Sequence, residues 1–384
     1  MNILINLIPI KKGGGQQVAT NFIEHISQAS DMGFNIYVCC TENTEIHRLL
    51  VNADIEKVFA VNNSLLSRAV FSYKEYYTII YKHSIDVVYT MFGPSLPKAK
   101  EVLTVVGCAY SNIFYPEVNF WEKWPLKKRL IAKAIDYYRL KTTLNADAVI
   151  FENESMRLRS KNIYDFPSER SIFIKPSVSS HLLKANSLTI KSSERNNIHS
   201  TKQILLLTGW HLNKNLQALP NIAYALNLKG VNDVIFTVTI SKEHEGALSL
   251  IQEAKRLGVE NYLNFIGTVS PFELEELYKN SYAVMLLSLL ESFSNNIIES
   301  WAMKRPLIIS DLEWARSICN KAAYYVDRDS SDQVAAAIKN LVDDSLLYNN
   351  LVNEGVKELS TYPSPSEKVK LQFEFIKRLH EKGV

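Results

Sequence analysis

Two glutamates separated by seven residues, Glu291 and Glu299, are the residues of this sequence best placed to do chemistry. The apolar run from Tyr282 to Leu290 predicts a buried strand, because a parallel strand covered on both faces needs no alternation of apolar and polar residues. A polar loop, 292–296, and a helical pattern follow. Glu291 would then lie at the carboxyl end of a strand and Glu299 in the first turns of a helix, where open α/β sheets bind ligands and free helix N–H groups favour anions.

Two carboxylates beside an anion site suit a ligand whose hydroxyl groups are attached to phosphate, since carboxylates accept hydrogen bonds from hydroxyls. Lys214, in the loop after another apolar run, would point a cation into the same crevice and neutralise a diphosphate. The alternative interpretation is a helix cap with solvated charges. Three charged residues at the ends of different strands favour the binding site.

The elements that must position these residues are thirteen short apolar runs, separated by helical or polar stretches. This alternation predicts two doubly wound α/β domains with a cleft between them. The runs are Met1–Ile8, Phe34–Cys40, Ile55–Val61, Ile85–Met91, Val102–Val106, Asn145–Phe151, Ser171–Pro176, Gln203–Gly209, Val234–Ile240, Leu263–Gly267, Tyr282–Leu290, Pro306–Ser310 and Ala323–Asp327.

The chain of 384 residues is long enough for two cores. We predict an N-terminal Rossmann-like domain over residues 1–185, a polar linker over 186–202 and a C-terminal Rossmann-like domain over 203–362. A last helix, 363–384, would pack back on the N-terminal domain.

A glycine loop after the first run, Gly13 to Gly15, precedes a helical pattern, so Gly14 and Gly15 are candidates for backbone contacts with phosphate. The loop has neither GxGxxG spacing nor a GxxxxGK[ST] motif, which argues against dinucleotide or P-loop chemistry. The alternative is a tight turn.

The stretch from Phe120 to Lys141 interleaves cations with aromatic and aliphatic residues. It predicts a basic amphipathic helix of the kind that rests on an anionic membrane surface. The alternative is a helix whose apolar face packs into its own domain.

Composition excludes several other classes of protein. A net charge of +3 does not indicate nucleic acid as the main partner, and four cysteines without metal-ligand spacing favour a reduced, cytoplasmic setting. We predict no signal peptide and no membrane span. Asp327-Arg-Asp329 resembles a DxD metal motif, but it precedes an Ala-rich helix, so we predict a helix cap and no metal site.

The segment from Glu291 to Glu299 resembles the E-x7-E signature of glycosyltransferase family 4, which are retaining GT-B enzymes. Gly209–Asn215, Leu263–Val269 and Asp311–Cys319 are similar to other segments of that family. The resemblance covers 203–359.

The resemblance implies a nucleotide-diphosphate-sugar donor as co-substrate, with no further cofactor. The domain 203–362 would bind this donor, and the domain 1–185 would lie on the acceptor side. Glu299 would bind the ribose hydroxyls and Glu291 the hydroxyls of the transferred sugar, while Lys214 would hold the diphosphate. Gly209 and His211 would belong to the phosphate loop. Backbone N–H groups for sugar and phosphate would come from the helix start, at Ser294, Asn295 and Asn296.

The sequence departs from the family where an arginine usually follows the glycine of the phosphate loop. Trp210-His211 stands there, so His211 would partly replace the arginine. The loop Gly107–Tyr110 has no histidine, and we assign no base to it.

The predicted function is a metal-independent retaining hexosyltransferase that acts on a glycan or polyprenyl-linked acceptor in surface polysaccharide synthesis. It would be cytoplasmic, peripheral on the inner face of the membrane. The alternatives are a GT-B nucleotide-sugar epimerase and a non-catalytic nucleotide-sugar-binding partner.

Overall fold

The computed structural model describes residues 1–178 and 201–383, apart from Lys12, Asn52, Asp54, Lys123 and Pro271. The chain divides into two compact units: unit 1 is Met1–Ser179 with Pro363–Val384, and unit 2 is Ser180–Tyr362. Most of the predicted linker, 186–200, lies outside the described residues. Its last residue, Lys202, is the first residue of a strand rather than linker.

Unit 1 contains a parallel sheet of seven strands in the order β3-β2-β1-β4-β5-β6-β7. The strands are β1 Asn2–Asn6, β2 Asn35–Thr41, β3 Lys57–Val61, β4 Val87–Thr90, β5 Leu103–Cys108, β6 Ala148–Phe151 and β7 Ser171–Phe173. The α-helices are Gly14–Glu24, Ser27–Asp31, Glu45–Leu50, Leu65–Val70, Tyr76–Lys82, Leu126–Leu144, Glu154–Tyr164 and Pro365–Glu381. Phe71–Glu75 is a π-helical turn, and Ser111–Ile113 and Ser168–Arg170 are 3₁₀ turns. β2 and β3 lie on one side of β1, and β4 to β7 lie on its other side. The glycine loop, which follows β1, therefore lies at the point where the strand order reverses.

The C-terminal helix Pro365–Glu381 packs into the core of unit 1. Ser364 and Glu367 form a capping box that fixes its start. The ring of Phe373 lies 5.7 Å from Phe22 and 5.1 Å from Phe34, between centroids. This helix follows unit 2 in the sequence, yet its apolar side chains are part of the core of unit 1.

Unit 2 contains a parallel sheet of six strands in the order β10-β9-β8-β11-β12-β13. The strands are β8 Lys202–Leu206, β9 Val234–Val238, β10 Leu263–Phe265, β11 Ala283–Leu286, β12 Leu307–Ser310 and β13 Tyr324–Val326. The α-helices are Leu219–Leu228, Glu245–Arg256, Leu274–Asn280, Asn295–Ala302, Glu313–Cys319, Ser331–Asp343 and Ser345–Leu359. Leu212–Lys214, Leu216–Ala218 and Glu260–Tyr262 are 3₁₀ turns. The strand order reverses between β8 and β11.

Two predicted boundaries are wrong. β11 ends at Leu286, and Leu287–Leu290 is irregular backbone in which Leu287, Ser288 and Leu290 are buried. The basic helix begins at Leu126 with Pro125 as its N-cap, so Phe120 precedes it. Within the described ranges, no helix has both the length and the hydropathy that a membrane span requires.

Candidate functional site

The loops that follow β8 and β11 meet at one edge of the sheet of unit 2. These two strands are adjacent and parallel, with Ala283 paired to Ile204 and Val284 to Leu205. Because parallel strands end at the same edge, residues 207–218 and 287–294 must approach each other there. This edge is also the switch point of the sheet, the usual ligand crevice of an open α/β fold.

A lysine–glutamate pair connects the two loops. Lys214 Nζ lies 2.6 Å from Glu291 Oε1, and their side chains are 22% and 16% exposed. Both groups are thus close enough to act together and open enough to be reached by a ligand. The structure thus brings Lys214 and Glu291 together at one edge of the sheet. Their roles toward a ligand stay predictions.

Asn213 holds the β11 loop in place. Its Nδ2 donates to the Leu290 carbonyl (2.7 Å), and its Oδ1 accepts from the Leu290 N–H (2.9 Å). The Leu289 N–H donates to the Asn213 carbonyl at 2.9 Å. Asn213 therefore satisfies buried backbone groups that have no strand partner, and it fixes the residue immediately before Glu291.

Neither Asn213 nor Asn215 caps the α-helix that follows the Lys214 loop. The N-cap of Leu219–Leu228 is Ala218, which makes no side-chain cap hydrogen bond. Asn215 adopts a left-handed conformation (φ 56°) and donates from Nδ2 to the Arg328 carbonyl at 2.6 Å. Both asparagines support the Lys214 loop through contacts with distant parts of unit 2, which no local pattern encodes.

The helix after Glu291 runs from Asn295 to Ala302, with Ser294 at its N-cap. Ser294 makes no side-chain cap hydrogen bond. Asn296 Nδ2 donates to the Leu207 carbonyl at 2.7 Å, which ties the helix start to the exit of β8. Asn295 and Asn296 lie in the first turn, whose N–H groups have no acceptor within the helix. The positions of Ser294, Asn295 and Asn296 thus suit an anion or a sugar hydroxyl.

Glu299 has different surroundings from Glu291. It is 3% exposed, and its Oε2 accepts a hydrogen bond from the fully buried Tyr278 hydroxyl at 2.8 Å. Burial raises the pKa of Glu299 to about 7, and the hydrogen bond from Tyr278 opposes that rise. Glu299 lies on a helix whose residues from Asn296 to Ala302 are all buried, and its ribose role stays a prediction.

The predicted phosphate loop contains Gly209, Trp210 and His211. His211 Nδ1 accepts from the Asn213 N–H at 3.1 Å, so this imidazole caps the turn that carries Lys214. Trp210 packs against His244 with ring centroids 5.2 Å apart, and a Cβ on Gly246 would come within 2.2 Å of the Trp210 ring. The position where the family has an arginine is therefore occupied by a packed aromatic ring. Gly209 has open space around it, so the fold does not require a glycine there.

Gly14 and Gly15 belong to unit 1, where they begin the helix Gly14–Glu24 after a left-handed Gly13 (φ 75°). The predicted sequence of strand, glycine loop and helix is present. A Cβ on Gly15 would lie 3.7 Å from Ile10 Cγ2, an ordinary contact. Phosphate binding by these glycines stays a prediction.

The Asp327-Arg-Asp329 segment is a helix start. Asp327 Oδ1 accepts from the Asp329 N–H at 3.0 Å, and Ser330 caps the helix Ser331–Asp343 by accepting from the Gln333 N–H. In the part of the chain that the structure describes, no group of three or more His, Cys, Asp or Glu side chains is arranged to hold a metal ion.

Comparisons with known proteins show what the chain is similar to. Residues 192–358 match the family model described as "Glycosyl transferases group 1". The predicted resemblance to glycosyltransferases is thereby confirmed over the segment that contains Lys214, Glu291 and Glu299. The chain is also 30% identical over 133 residues to the O-antigen chain mannosyltransferase RfbU of Salmonella typhimurium. That alignment covers 34% of this chain and spans 38% of the length of the relative.

Solved structures match the whole chain at low identity. The sucrose-phosphate synthase of Thermosynechococcus elongatus has a TM-score of 0.72 at 12% identity, with all of both chains covered. Anabaena Alr3699/HepE in complex with UDP and glucose has a TM-score of 0.69 at 14% identity, covering 99% of this chain and 100% of that one. A putative UDP-N-acetylglucosamine 2-epimerase from Listeria monocytogenes has a TM-score of 0.64 at 10% identity, covering 99% and 97%. These matches confirm the predicted α/β fold of the GT-B type, and the fold alone does not separate transferases from epimerases.

Proposed function

We propose that this protein is a retaining, metal-independent glycosyltransferase of family 4. It would move a hexose from a nucleotide-diphosphate-sugar to a glycan or polyprenyl-linked acceptor in surface polysaccharide synthesis, as a cytoplasmic enzyme peripheral to the membrane. The observation that carries this proposal is the contact of Lys214 with Glu291 across the switch point of unit 2. The name of the mannosyltransferase relative supports the proposed process, and mannose is a natural first choice of sugar to test.

The proposed donor fits the charges at this edge. A nucleoside diphosphate leaves as an anion, so departure is favoured by positive charge and by N–H groups aimed at the phosphates. Lys214 supplies the cation, and the first turn at Asn295 and Asn296 supplies N–H groups. Since Glu291 pairs with Lys214, a diphosphate would take over the ammonium and free Glu291 for the sugar hydroxyls.

The two glutamates would then serve different parts of the donor. Glu291 follows a loop fixed by Asn213, and its carboxylate would accept hydrogen bonds from the transferred sugar. For Glu299, Tyr278 occupies Oε2, and we assign Oε1 to the ribose hydroxyls. The acceptor hydroxyl would attack the sugar on the face from which the diphosphate leaves, and its proton would pass to the leaving phosphate. This step would use no dedicated protein base.

The test is a transfer assay with Glu291→Gln. Glutamine has the shape of glutamate without its charge, so we expect kcat to fall by roughly 100-fold, the scale seen for a lost transition-state contact. The affinity for nucleoside diphosphate should not weaken, because the nucleotide does not make the sugar contact and the ammonium of Lys214 no longer has to leave a carboxylate. Asp332→Asn is the matched control, since Asp332 also pairs with a lysine of unit 2, Lys229, and its side chain is 76% exposed.

Full activity of Glu291→Gln would contradict the site assignment. The same assay separates the alternatives, because an epimerase leaves the altered sugar on the nucleotide and a transferase places it on the acceptor. Tight donor binding without donor consumption, over a panel of acceptors, would favour a non-catalytic binding protein.

A further inference from the structure

Two cations of unit 1 lie together at the carboxyl edge of its sheet. Lys11 follows β1, and Arg68 belongs to the helix Leu65–Val70, which follows β3. Lys11 Nζ donates to Asn63 Oδ1, in the turn between β3 and that helix. Because β1 and β3 are parallel strands of one sheet, the segments that follow them meet at this edge.

Arg68 is held in place by uncharged groups. Its Nη2 donates to the Ile8 carbonyl and to the Thr41 hydroxyl, both at 3.2 Å, and that hydroxyl donates to the same carbonyl at 3.0 Å. Its Nε is buried and has no hydrogen-bond partner among the described residues. A buried N–H group without an acceptor is costly, and a bound anion beside the guanidinium would offset that cost.

No carboxylate in the described part of the chain neutralises the two cations. Neither Lys11 nor Arg68 forms an ion pair there, and burial together with the charge of Arg68 lowers the pKa of Lys11. Glu42, which follows β2 at the same edge, accepts instead from the amide of Asn62. Two like charges held side by side without a counter-charge attract an anion.

We propose that Lys11 and Arg68 form a phosphate site of unit 1 that takes the diphosphate of a polyprenyl-linked acceptor. This inference rests on the proposed function, in which Lys214 of unit 2 already serves the diphosphate of the donor. A transfer from a nucleotide-linked sugar to a lipid-linked acceptor brings two diphosphates to one enzyme, and each has to be neutralised. The sequence indicated only the neighbouring glycines, because Lys11 and Arg68 are far apart along the chain.

The two side chains suit different parts of a diphosphate. Arg68 is fixed through Nη2 and holds its planar guanidinium in one orientation, whereas Lys11 is exposed and carries its charge on a flexible stem. Arg68 would set the position of one phosphate. Lys11 would bind the other by exchanging the amide oxygen of Asn63 for a phosphate oxygen, which is the stronger acceptor for a cation.

The experiment is calorimetric titration of the full chain with geranyl diphosphate, a soluble isoprenyl diphosphate that carries neither sugar nor nucleotide. The titrations use Lys214→Ala protein, so that the proposed donor site makes no contribution. We expect binding, and adding Lys11→Gln or Arg68→Gln should weaken it roughly tenfold or more, as the loss of a charge-assisted contact does.

Lys57→Gln is the matched control for Lys11→Gln. Lys57 is an exposed lysine at the first position of β3, so it lies at the opposite edge of the same sheet. Its substitution should leave the affinity for geranyl diphosphate unchanged.

Melting temperatures separate a loss of binding from a loss of structure. Lys11→Gln removes the repulsion from Arg68, so the melting temperature of the ligand-free protein should not fall. Inorganic pyrophosphate should raise the melting temperature of the Lys214→Ala protein, and adding Lys11→Gln should reduce that rise. Arg68→Gln also removes the contacts with Ile8 and Thr41, so Lys11→Gln is the decisive variant.

Equal affinity for geranyl diphosphate in the test and control variants, or no binding, would overturn the proposal. Binding of pyrophosphate without binding of geranyl diphosphate would assign the site to a free anion and overturn it as well. So would a weaker affinity for UDP in Lys11→Gln, with Lys214 intact and geranyl diphosphate binding unchanged, because the site would then belong to the donor.

Failure of the proposed donor site has a different signature. UDP would then not bind the wild-type chain, while geranyl diphosphate would still bind in a manner that depends on Lys11. That result would contradict the role of Lys214 and support the phosphate site of unit 1.

Discussion

Each unit places a lysine–glutamate pair beside the carboxyl end of a strand, and the two pairs have different surroundings. In unit 1, Glu152 follows β6 and pairs with Lys368 of the C-terminal helix, with side chains 10% and 6% exposed. In unit 2, Glu291 follows β11 and pairs with Lys214, with side chains 16% and 22% exposed. The covered pair holds a helix on its sheet, whereas the open pair is available to a ligand. The same two residue types thus serve packing or binding according to what covers them.

The largest expected effect is on the covered pair. Lys368→Ala would leave the Glu152 carboxylate buried without its partner, which costs about 3–5 kcal/mol. Hydrogen exchange measured by mass spectrometry should show faster exchange in the strands of unit 1 and unchanged exchange in unit 2. Unchanged protection of β4 to β6 would show that the pair does not hold the C-terminal helix.

A second prediction concerns the buried glutamate beside the open pair. Burial raises the pKa of Glu299 to about 7, from an ordinary 4.5, so the folded state binds the proton more tightly than the unfolded state. The resulting stabilisation is fully present below about pH 4.5 and is lost as pH rises through 7. Glu299→Gln removes this titration and should stabilise unit 2 by up to about 3 kcal/mol at pH 8.5, with little change at pH 4.5.

Thermal melts at the two pH values check this prediction. Glu253→Gln is the control, because a hydrogen bond from Arg256 lowers the pKa of Glu253 and its loss gives no stabilisation at high pH. A gain for Glu299→Gln that is equal at both pH values would contradict the account.

Asn213→Ala should have an intermediate effect. It leaves the buried Leu290 N–H and carbonyl without partners, at a cost of about 1–3 kcal/mol. Because the same contacts orient Glu291, kcat of the proposed transfer should fall as well. Asn340→Ala removes an exposed hydrogen bond to Tyr324 and should change neither quantity. Normal stability and activity of Asn213→Ala would exclude Asn213 as the support of the loop.

The smallest expected effect on stability is that of Lys214→Ala. The pair is partly exposed, and such pairs contribute about 0–1 kcal/mol. Exchange protection in unit 2 should therefore stay nearly wild-type. A loss as large as that of Lys368→Ala would remove the contrast between the two pairs.

Much of the fold was predictable because the apolar runs are local. A strand in the structure falls within or overlaps each of the thirteen predicted runs. The predicted run Tyr282–Leu290 is longer than its strand, because Leu287–Leu290 is apolar but does not pair with a neighbouring strand. Asn213 hydrogen-bonds the backbone of Leu289 and Leu290, and Trp314 Nε1 donates to the Leu289 carbonyl at 3.1 Å. Partners so distant in sequence leave no periodic signal.

The site was predictable in its residue types and only partly in its surroundings. Strand ends and the seven-residue spacing brought Lys214 and Glu291 together. Glu299 accepts its hydrogen bond from Tyr278, on a different helix, and Trp210 packs against His244, which follows the neighbouring strand β9. Such cross-element contacts follow from tertiary packing rather than from spacing along the chain.

The central claim, that the open pair of unit 2 binds a nucleotide-diphosphate donor, is tested most directly by calorimetric titration with UDP, GDP and ADP. Lys229 is the matched control for Lys214, since it also forms a 2.6 Å ion pair with a carboxylate and is 27% exposed. We expect at least one nucleotide to bind, and Lys214→Ala to weaken it roughly 10- to 100-fold, as the loss of a charge-assisted contact should. Lys229→Ala should leave that affinity unchanged. Equal affinity in the wild type and Lys214→Ala, or no binding of any of the three nucleotides, would contradict the account.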